Sequence, residues 1–204
     1  MKLYCAPGTV SLAVLIALEE ANARYEPILL DFKQNAQRTA EYKAVNPKAR
    51  VPSLETEHGI LTETPAILTY IAQTYPAAKL APSDPFAYAR MQEFNAYLCG
   101  TAHVAHAHRM RGARWSDDPA VWENLKLKVP QNMAEIFTLI ETTMFQCPWV
   151  LGDAYSTSDP YLFTLECWME SDSVKIADFP TLHDHYQRMN DRPAVVRAMA
   201  KLAG

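Results

Sequence analysis

Three short stretches hold residues whose types and spacing suit chemistry. In the first, Glu63-Thr64-Pro65 follows a strand–turn–strand pattern and opens an apolar-periodic run, Ile67, Leu68 and Ile71. An acid and a hydroxyl therefore sit where a strand feeds a helix N-terminus. Thr64 reads as the N-cap and Pro65 as the first helical residue, where a missing N–H costs nothing. The free N–H groups and positive dipole end of such a helix attract a carboxylate, and Glu63 beside them pairs with an amine. A ligand with an ammonium and a carboxylate on one carbon suits this corner. The plainer reading is a hairpin packed on a helix with no ligand. In the second stretch, Thr9 and Ser11 stand at the mouth of the first helix, as hydroxyl donors or as N-caps. The third, H-V-A-H-A-H-R-M-R-G-A-R-W from His103 to Trp115, crowds three histidines and three arginines into thirteen positions. Cys99, His103 and His106 fall at i, i+4 and i+7, a spacing that can hold zinc, but no fourth ligand is evident and no metal is expected. His106, Arg109 and Arg111 beside His103 favour an anionic or carbonyl-bearing ligand. Cations stabilising a helix C-terminus, or a salt-bridged surface, are the alternative.

The elements that position these residues follow from periodicity and turn signals. Lys2 to Cys5 is a short buried strand, and Ala6-Pro7-Gly8-Thr9 a loop. Leu12, Leu15, Ile16 and Leu18 give a helix face, Tyr25 to Leu30 a strand, and Thr39 to Val45 a short helix. Ser53–Thr56 and Ile60–Thr62 pair around a tight turn at His58-Gly59, and Val51-Pro52 enters the first of these strands. An X-Pro bond there can be cis, which would turn the Val51 backbone N–H and C=O outward toward an extended peptide. The pattern predicts a small α/β layer of thioredoxin-like type over residues 1–76 and a linker over 77–84. An all-helical region follows over 85–204. It contains one long helix from Phe86 to about Arg111, a second from Pro119 to Phe145 kinked at Pro130, and two more over Pro180–Asn190 and Pro193–Leu202. Between them, Ser156-Thr157-Ser158-Asp159 is a capping box introducing a helix through Trp168. Tyr161 and Trp168 read as core.

Composition narrows the function classes. The chain has 204 residues, 49% apolar and 21% charged, which is ordinary globular usage with ample core. A net charge of −4 with no Lys/Arg block argues against nucleic acid or an anionic membrane as partner. No apolar run approaches the ~18 residues of a membrane span. The opening lacks a basic-then-apolar signal layout. The four cysteines, Cys5, Cys99, Cys147 and Cys167, are widely spaced without C-x-x-C, which suits a reducing cytoplasm.

The order strand–loop–helix–strand, then N-P-x-x-x-V-P (Asn46 to Pro52), hairpin, and E-T at a helix start resembles the glutathione-binding N-terminal domain of cytosolic glutathione transferases. The opening M-K-L-Y-C-A-P-G-T-V-S-L-A and the phrase A-L-E-E-A resemble the bacterial beta class in particular, and the helical second half is similar to the family's second domain. The resemblance implies glutathione as co-substrate, attack of its thiolate on a small electrophile, and a homodimer. Glutathione-dependent peroxide or disulfide reduction, and non-catalytic ligand binding, stay open beside it. By the same resemblance, Glu63 and Thr64 hold the γ-glutamyl group, and the Val51 backbone before Pro52 pairs with the cysteinyl part. Lys33 and Arg50 reach for the glycyl carboxylate, and Asn95 for the neighbouring subunit's glutathione. Each of these last three reads equally as a solvated surface residue. The resemblance also places His103, His106, Arg109 and Arg111 in the co-substrate pocket, and gives Ser156 and Asp159 a folding role.

Glutathione's thiol, with pKa about 8.5, needs a downward shift of about two units, or about 2.7 kcal/mol, to be mostly thiolate near neutrality. A donating hydroxyl and a helix N-terminus supply that order of stabilisation. The beta class has a tyrosine at the position of Cys5 and a cysteine at that of Val10, so a mixed disulfide at the usual cysteine is not available here. Thr9 and Ser11 become the candidates for holding the thiolate, in either order. Cys5 is either a reactive thiol or inert core.

Overall fold

In the computed structural model, which describes residues 1–203, β1 (Lys2–Cys5) alternates as a half-covered strand should. Leu3 and Cys5 are buried, while Lys2 and Tyr4 face the other side. It lies within a four-stranded sheet of order β2-β1-β3-β4. β2 (Glu26–Leu29) runs parallel to it, and β3 (Ser53–Thr56) and β4 (Gly59–Thr62) form an antiparallel hairpin beside it. Leu3, Leu54 and Leu61 align across β1, β3 and β4. A parallel pair needs a crossover, and α1 (Ser11–Glu20) provides it. Residues Ser11 to Glu19 are all buried, because α1 packs against α3 (Thr64–Thr74) and also against two helices of the second half. A helix covered on every side is apolar all round rather than striped. The short α2 (Ala40–Val45) is capped by the Thr39 hydroxyl, which accepts from the Tyr42 N–H at 3.3 Å.

The second half is helical, as its periodicity predicts. α4 (Pro85–Tyr97) starts at Asp84, whose carboxylate accepts from the Ala87 N–H. It widens into a π turn over Leu98–Ala102 and continues as α5 (His103–Ala107). The long helix expected to reach Arg111 therefore ends earlier. Gly112–Arg114 forms a separate helical turn seated on α6 (Pro119–Leu139), so the chain must leave the first axis before it. α6 runs uninterrupted through Pro130 and ends in a second π turn over Ile140–Met144.

α7 (Ser158–Glu166) is entirely buried, followed by α8 (Pro180–Asn190) and α9 (Pro193–Ala203); α7 and α9 are the helices that cover α1. The box before α7 closes as the sequence predicts. Asp159 accepts from the Ser156 N–H at 2.7 Å, and the Ser156 hydroxyl accepts from the Ser158 N–H. Asp159 also accepts from the Val150 N–H at 2.8 Å, tying the preceding loop to the helix. Behind it, the fully buried His185 lies between Glu166, 2.9 Å from Nδ1, and Asp159, 3.4 Å from Nε2. Burial opposes the imidazolium, but the two carboxylates outweigh it and raise the pKa to about 9. Among the described residues, no helix is long and apolar enough to cross a membrane.

Candidate functional site

A cleft of about 570 Å³ opens between the loops at one end of the sheet and the end of the α4–α5 helix. Its first wall is the β1–α1 loop. Thr9 Oγ1 donates to the Ala6 carbonyl at 2.7 Å and lies 2.7 Å from Ser11 Oγ. A carbonyl only accepts, so the single Thr9 proton goes to Ala6, and the Ser11 proton must go to Thr9. Thr9 also accepts weakly from the Ser11 N–H, at 3.3 Å, which is a capping contact. Of the two hydroxyls, Thr9 lines the cleft, while Ser11 is fully buried beneath it. Cys5 lies outside the lining: it is fully buried, its Sγ faces the Ile28 carbonyl, and burial pushes its thiol up to about 11. The inert alternative holds for this thiol.

The second wall is built by the segment before the hairpin. The Arg50 carbonyl accepts from the Tyr42 hydroxyl at 2.6 Å and from Asn46 Nδ2 at 2.7 Å, and both donors also meet the buried Ser53 hydroxyl. This network holds Ala49 to Pro52 against the cleft, with the Val51–Pro52 peptide in the cis form. At the end of β4, Glu63 has φ +73° and ψ 121°, outside the regions L-residues favour. Its carbonyl accepts from the Ile67 N–H, so Glu63, and not Thr64, occupies the cap position of α3. Thr64 is the first helical residue, buried at the cleft wall, with Pro65 after it. The Glu63 carboxylate takes Lys48 Nζ at 2.5 Å, and that ammonium also donates to the Thr62 hydroxyl at 2.6 Å.

The third wall carries the histidines and arginines. His106 stacks on Trp168 with centroids 4.2 Å apart, and His103 meets the same indole edge-on at 5.2 Å. His106 Nδ1 lies 2.7 Å from Asp172 Oδ2, and Arg109 Nε lies 3.3 Å from Oδ1 without hydrogen-bond alignment. The Asp172 side chain is fully buried, so this carboxylate anchors both side chains from below. Burial, then the charges of His106, Arg114 and Arg50, drive His103 down to about 4, leaving it a neutral imidazole near pH 7. Arg111 and Arg114 project from the turn after α5; burial, then Arg50, Arg111 and Arg38, lower the Arg114 pKa. All four residues expected in a co-substrate pocket, His103, His106, Arg109 and Arg111, line the cleft.

Two residues expected to hold glutathione lie outside this lining. Lys33 is exposed and outside the lining. Asn35, at φ +55°, reverses the chain between two short helical turns, so that Gln37 and Arg38 face the cleft instead. Asn95, on α4, is fully buried within the chain, with neither Oδ1 nor Nδ2 partnered, and lies outside the cleft lining. Lys48, Arg38 and Arg114 were not singled out by sequence reasoning. Of these, Arg114 falls within the histidine- and arginine-rich stretch from His103 to Trp115. Tyr161 and Trp168 are buried as core residues, yet both also form cleft wall. Among the described residues, no group of three or more His, Cys, Asp or Glu side chains could hold a metal ion.

A mixed four-stranded sheet with a cis-proline before its hairpin, joined to a helical region across a polar cleft, defines a thioredoxin-like fold with an appended helical domain. Residues 1–73 match the family model described as Glutathione S-transferase, N-terminal domain, and residues 95–193 match Glutathione S-transferase, C-terminal domain. The chain belongs to the glutathione S-transferase family. It is 28% identical over 203 residues to the glutathione S-transferase GstA of Escherichia coli O157:H7, covering 98% of both chains. Among solved structures, it is similar to a glutathione transferase homologue from Sulfitobacter with bound glutathione, at TM-score 0.96 and 43% identity over 98% of this chain and 97% of that one. The bacterial beta-class enzyme of Sphingomonas chungbukensis matches at TM-score 0.86 and 28% identity over 99% and 98%.

Proposed function

We propose that the protein is a glutathione transferase whose bound thiolate attacks a small, anionic electrophile. The observation that carries this reading is the convergence in one cleft of Thr9, Val51, Glu63 and Thr64. Glutathione bound to the Sulfitobacter homologue supports the same ligand here. Its γ-glutamyl carboxylate meets Thr64 and the free N–H groups opening α3, and its ammonium meets Glu63. The Val51 backbone pairs with the cysteinyl unit, and Arg50, with Arg38 beside it, takes the glycyl carboxylate. The family's homodimer is the assembly we propose, in a cytoplasmic setting, and light scattering checks the first of these.

In the proposed mechanism, the sulfur lies beside Thr9 at the N-terminal end of α1. The Thr9 proton turns from the Ala6 carbonyl to the sulfur, and Ser11 continues to donate to Thr9, which makes Thr9 the stronger donor. A charge-assisted hydrogen bond together with the dipole end of α1 is of the order needed to shift the thiol by about two units, about 2.7 kcal/mol. No proton leaves the hydroxyl. The thiolate then forms the new C–S bond on the electrophile, with the arginines of the opposite wall holding its negative charge. Reduction chemistry based on Cys5 is disfavoured, because that thiol is buried and stays protonated.

The test is the thiol pKa of bound glutathione, read from thiolate absorbance against pH in wild type, Thr9→Ala and Ser11→Ala. A bound pKa one to two units below about 8.5, returning toward that value in Thr9→Ala, supports the mechanism. Tight binding with an unshifted pKa would mean a glutathione-binding protein instead.

A further inference from the structure

The charge of the cleft opposes that of the chain. The protein carries a net −4, yet Arg38, Arg50, Arg109, Arg111 and Arg114 line the cleft against one carboxylate, Glu63. Glu63 is paired with Lys48, and Arg109 faces the buried Asp172. Among the described residues, no carboxylate pairs with Arg38, Arg50, Arg111 or Arg114. Like charges gathered on the walls of a concave site focus a positive potential there and raise the local concentration of anions. Glutathione, placed as above, occupies Arg38 and Arg50 with its glycyl carboxylate. Arg111 and Arg114, on the opposite wall, remain without an anion.

These two arginines stand on a built support. Arg114 closes the turn Gly112–Arg114 and Arg111 immediately precedes it, and both side chains line the cleft. The Arg114 N–H donates to the Arg111 carbonyl at 2.9 Å, and the N–H groups of Trp115 and Ser116 donate to the Gly112 carbonyl at 2.9 and 3.2 Å. Trp122 of α6 donates its indole N–H to the Ser116 carbonyl at 2.5 Å, and Gly112 lies so close to Trp122 that a Cβ there would be 2.6 Å from Trp122 Cβ. The turn that carries Arg114 is thus fastened to α6.

We propose that Arg111 and Arg114 form a carboxylate subsite for the electrophile, so that the preferred co-substrate is an acid whose reacting carbon lies beside Thr9 and whose carboxylate is held by the Gly112 turn. The inference rests on the conjugation reading above and extends it to a substrate class. Two guanidinium groups offer planar, paired donors that match a carboxylate, and a neutral His103 nearby leaves this recognition to the arginines.

The experiment uses 4-chloro-3,5-dinitrobenzoate and its methyl ester, which share one reacting carbon and differ in charge. In each, the thiolate forms a C–S bond at the chlorine-bearing carbon, and chloride leaves with the C–Cl electron pair. Each kcat/KM is divided by the uncatalysed rate with glutathione. Wild type is expected to prefer the acid by about tenfold or more, the size of one or two charge-assisted hydrogen bonds. That acid-to-ester ratio falls by about tenfold in Arg114→Gln, mainly through the KM for the acid, and by less in Arg114→Lys. Raising salt reduces the wild-type ratio. Equal use of acid and ester by wild type, or an undiminished ratio in both Arg114→Gln and Arg111→Gln, overturns the subsite. Calorimetric binding of the two glutathione conjugates supplies the same comparison without turnover. If neither probe is conjugated, the transferase reading fails, while tighter binding of the acid conjugate in wild type only, or its absence, still decides the subsite.

Discussion

Thr9 Oγ1 and Ser11 Oγ lie 2.7 Å apart, and the Ala6 carbonyl, also 2.7 Å from Thr9 Oγ1, sets the direction of the bond between them. Ser11 donates to Thr9, and Thr9 is the member of the pair that reaches the cleft. The two hydroxyls are therefore not equivalent. Thr9→Ala removes the donor to sulfur, and kcat/KM at pH 7 should fall ten- to a hundredfold, matching a loss of about one to two pKa units of thiolate stabilisation. Activity should recover as pH rises toward the free-thiol value, because the rate follows the thiolate fraction. Thr9→Ser should stay within a few fold of wild type, and Ser11→Ala should show a smaller shift in the pH profile than Thr9→Ala. Steady-state rates from pH 6 to 9 check this, and a larger effect at Ser11 than at Thr9 would reverse the assignment.

The Lys48–Glu63 pair occupies the carboxylate that the proposed glutathione ammonium needs. Its side chains are 44% and 54% exposed, so the pair is worth less than about 1 kcal/mol. Lys48→Met frees Glu63, and the glutathione KM should drop by no more than about fivefold, with the effect shrinking as salt rises. Glu63→Gln should raise the same KM about tenfold, the loss of a charge-assisted hydrogen bond. Initial rates against glutathione concentration measure both. A KM that rises in Lys48→Met would mean that Lys48 itself touches a glutathione carboxylate.

His185 makes stability depend on pH in one direction. Its folded pKa near 9 lies above the ordinary 6.5, so folding takes up a proton. The stabilisation is complete below pH 6.5 and is lost as pH rises through 9. In His185→Gln the imidazolium facing Glu166 and Asp159 is gone. The variant should be markedly less stable than wild type at pH 6 and approach it at pH 9.5. Denaturant unfolding at the two pH values reads the difference, and an identical gap at both would show that the imidazolium contributes nothing.

The sheet, the hairpin and the capping box were legible because each is written in local residues: alternating apolar positions, His58-Gly59, and Ser156 with Asp159. The corner at Glu63 was legible in residue type but not in detail. The positive φ of Glu63 shifts the helix start by one residue, and no neighbouring side chain announces it. The burial of Asn95 was not legible because α4 mixes polar and apolar residues around its circumference. Phe86 is 75% exposed while Asn95 is fully buried, so no apolar stripe tells the inward face. Lys33 falls outside the cleft lining and Arg38 within it through the backbone reversal at Asn35. Arg114 becomes part of the cleft only through the packing of Gly112 on Trp122, a contact between distant elements that no sequence period encodes.

That packing gives a sharp contrast between two glycines. In Gly112→Ala the new Cβ would lie 2.6 Å from Trp122 Cβ and 2.9 Å from Trp122 Cα. These atoms cannot be cleared by a rotamer change, so the turn itself must move. Such overpacking costs about 1–3 kcal/mol, or a fall of several degrees in Tm for a chain of this size. Because the displaced turn carries Arg111 and Arg114, the preference for an acidic electrophile should fall with it. Gly100, in the π turn between α4 and α5, has nothing within 4 Å of its Cβ position and no positive φ. Gly100→Ala should therefore raise stability by about 0.5–1 kcal/mol through lost chain entropy in the unfolded state. Thermal melts of the two variants, paired with the acid-to-ester ratio, check the argument. A Gly112→Ala protein with unchanged Tm and unchanged acid preference would show that the turn is not held by this contact.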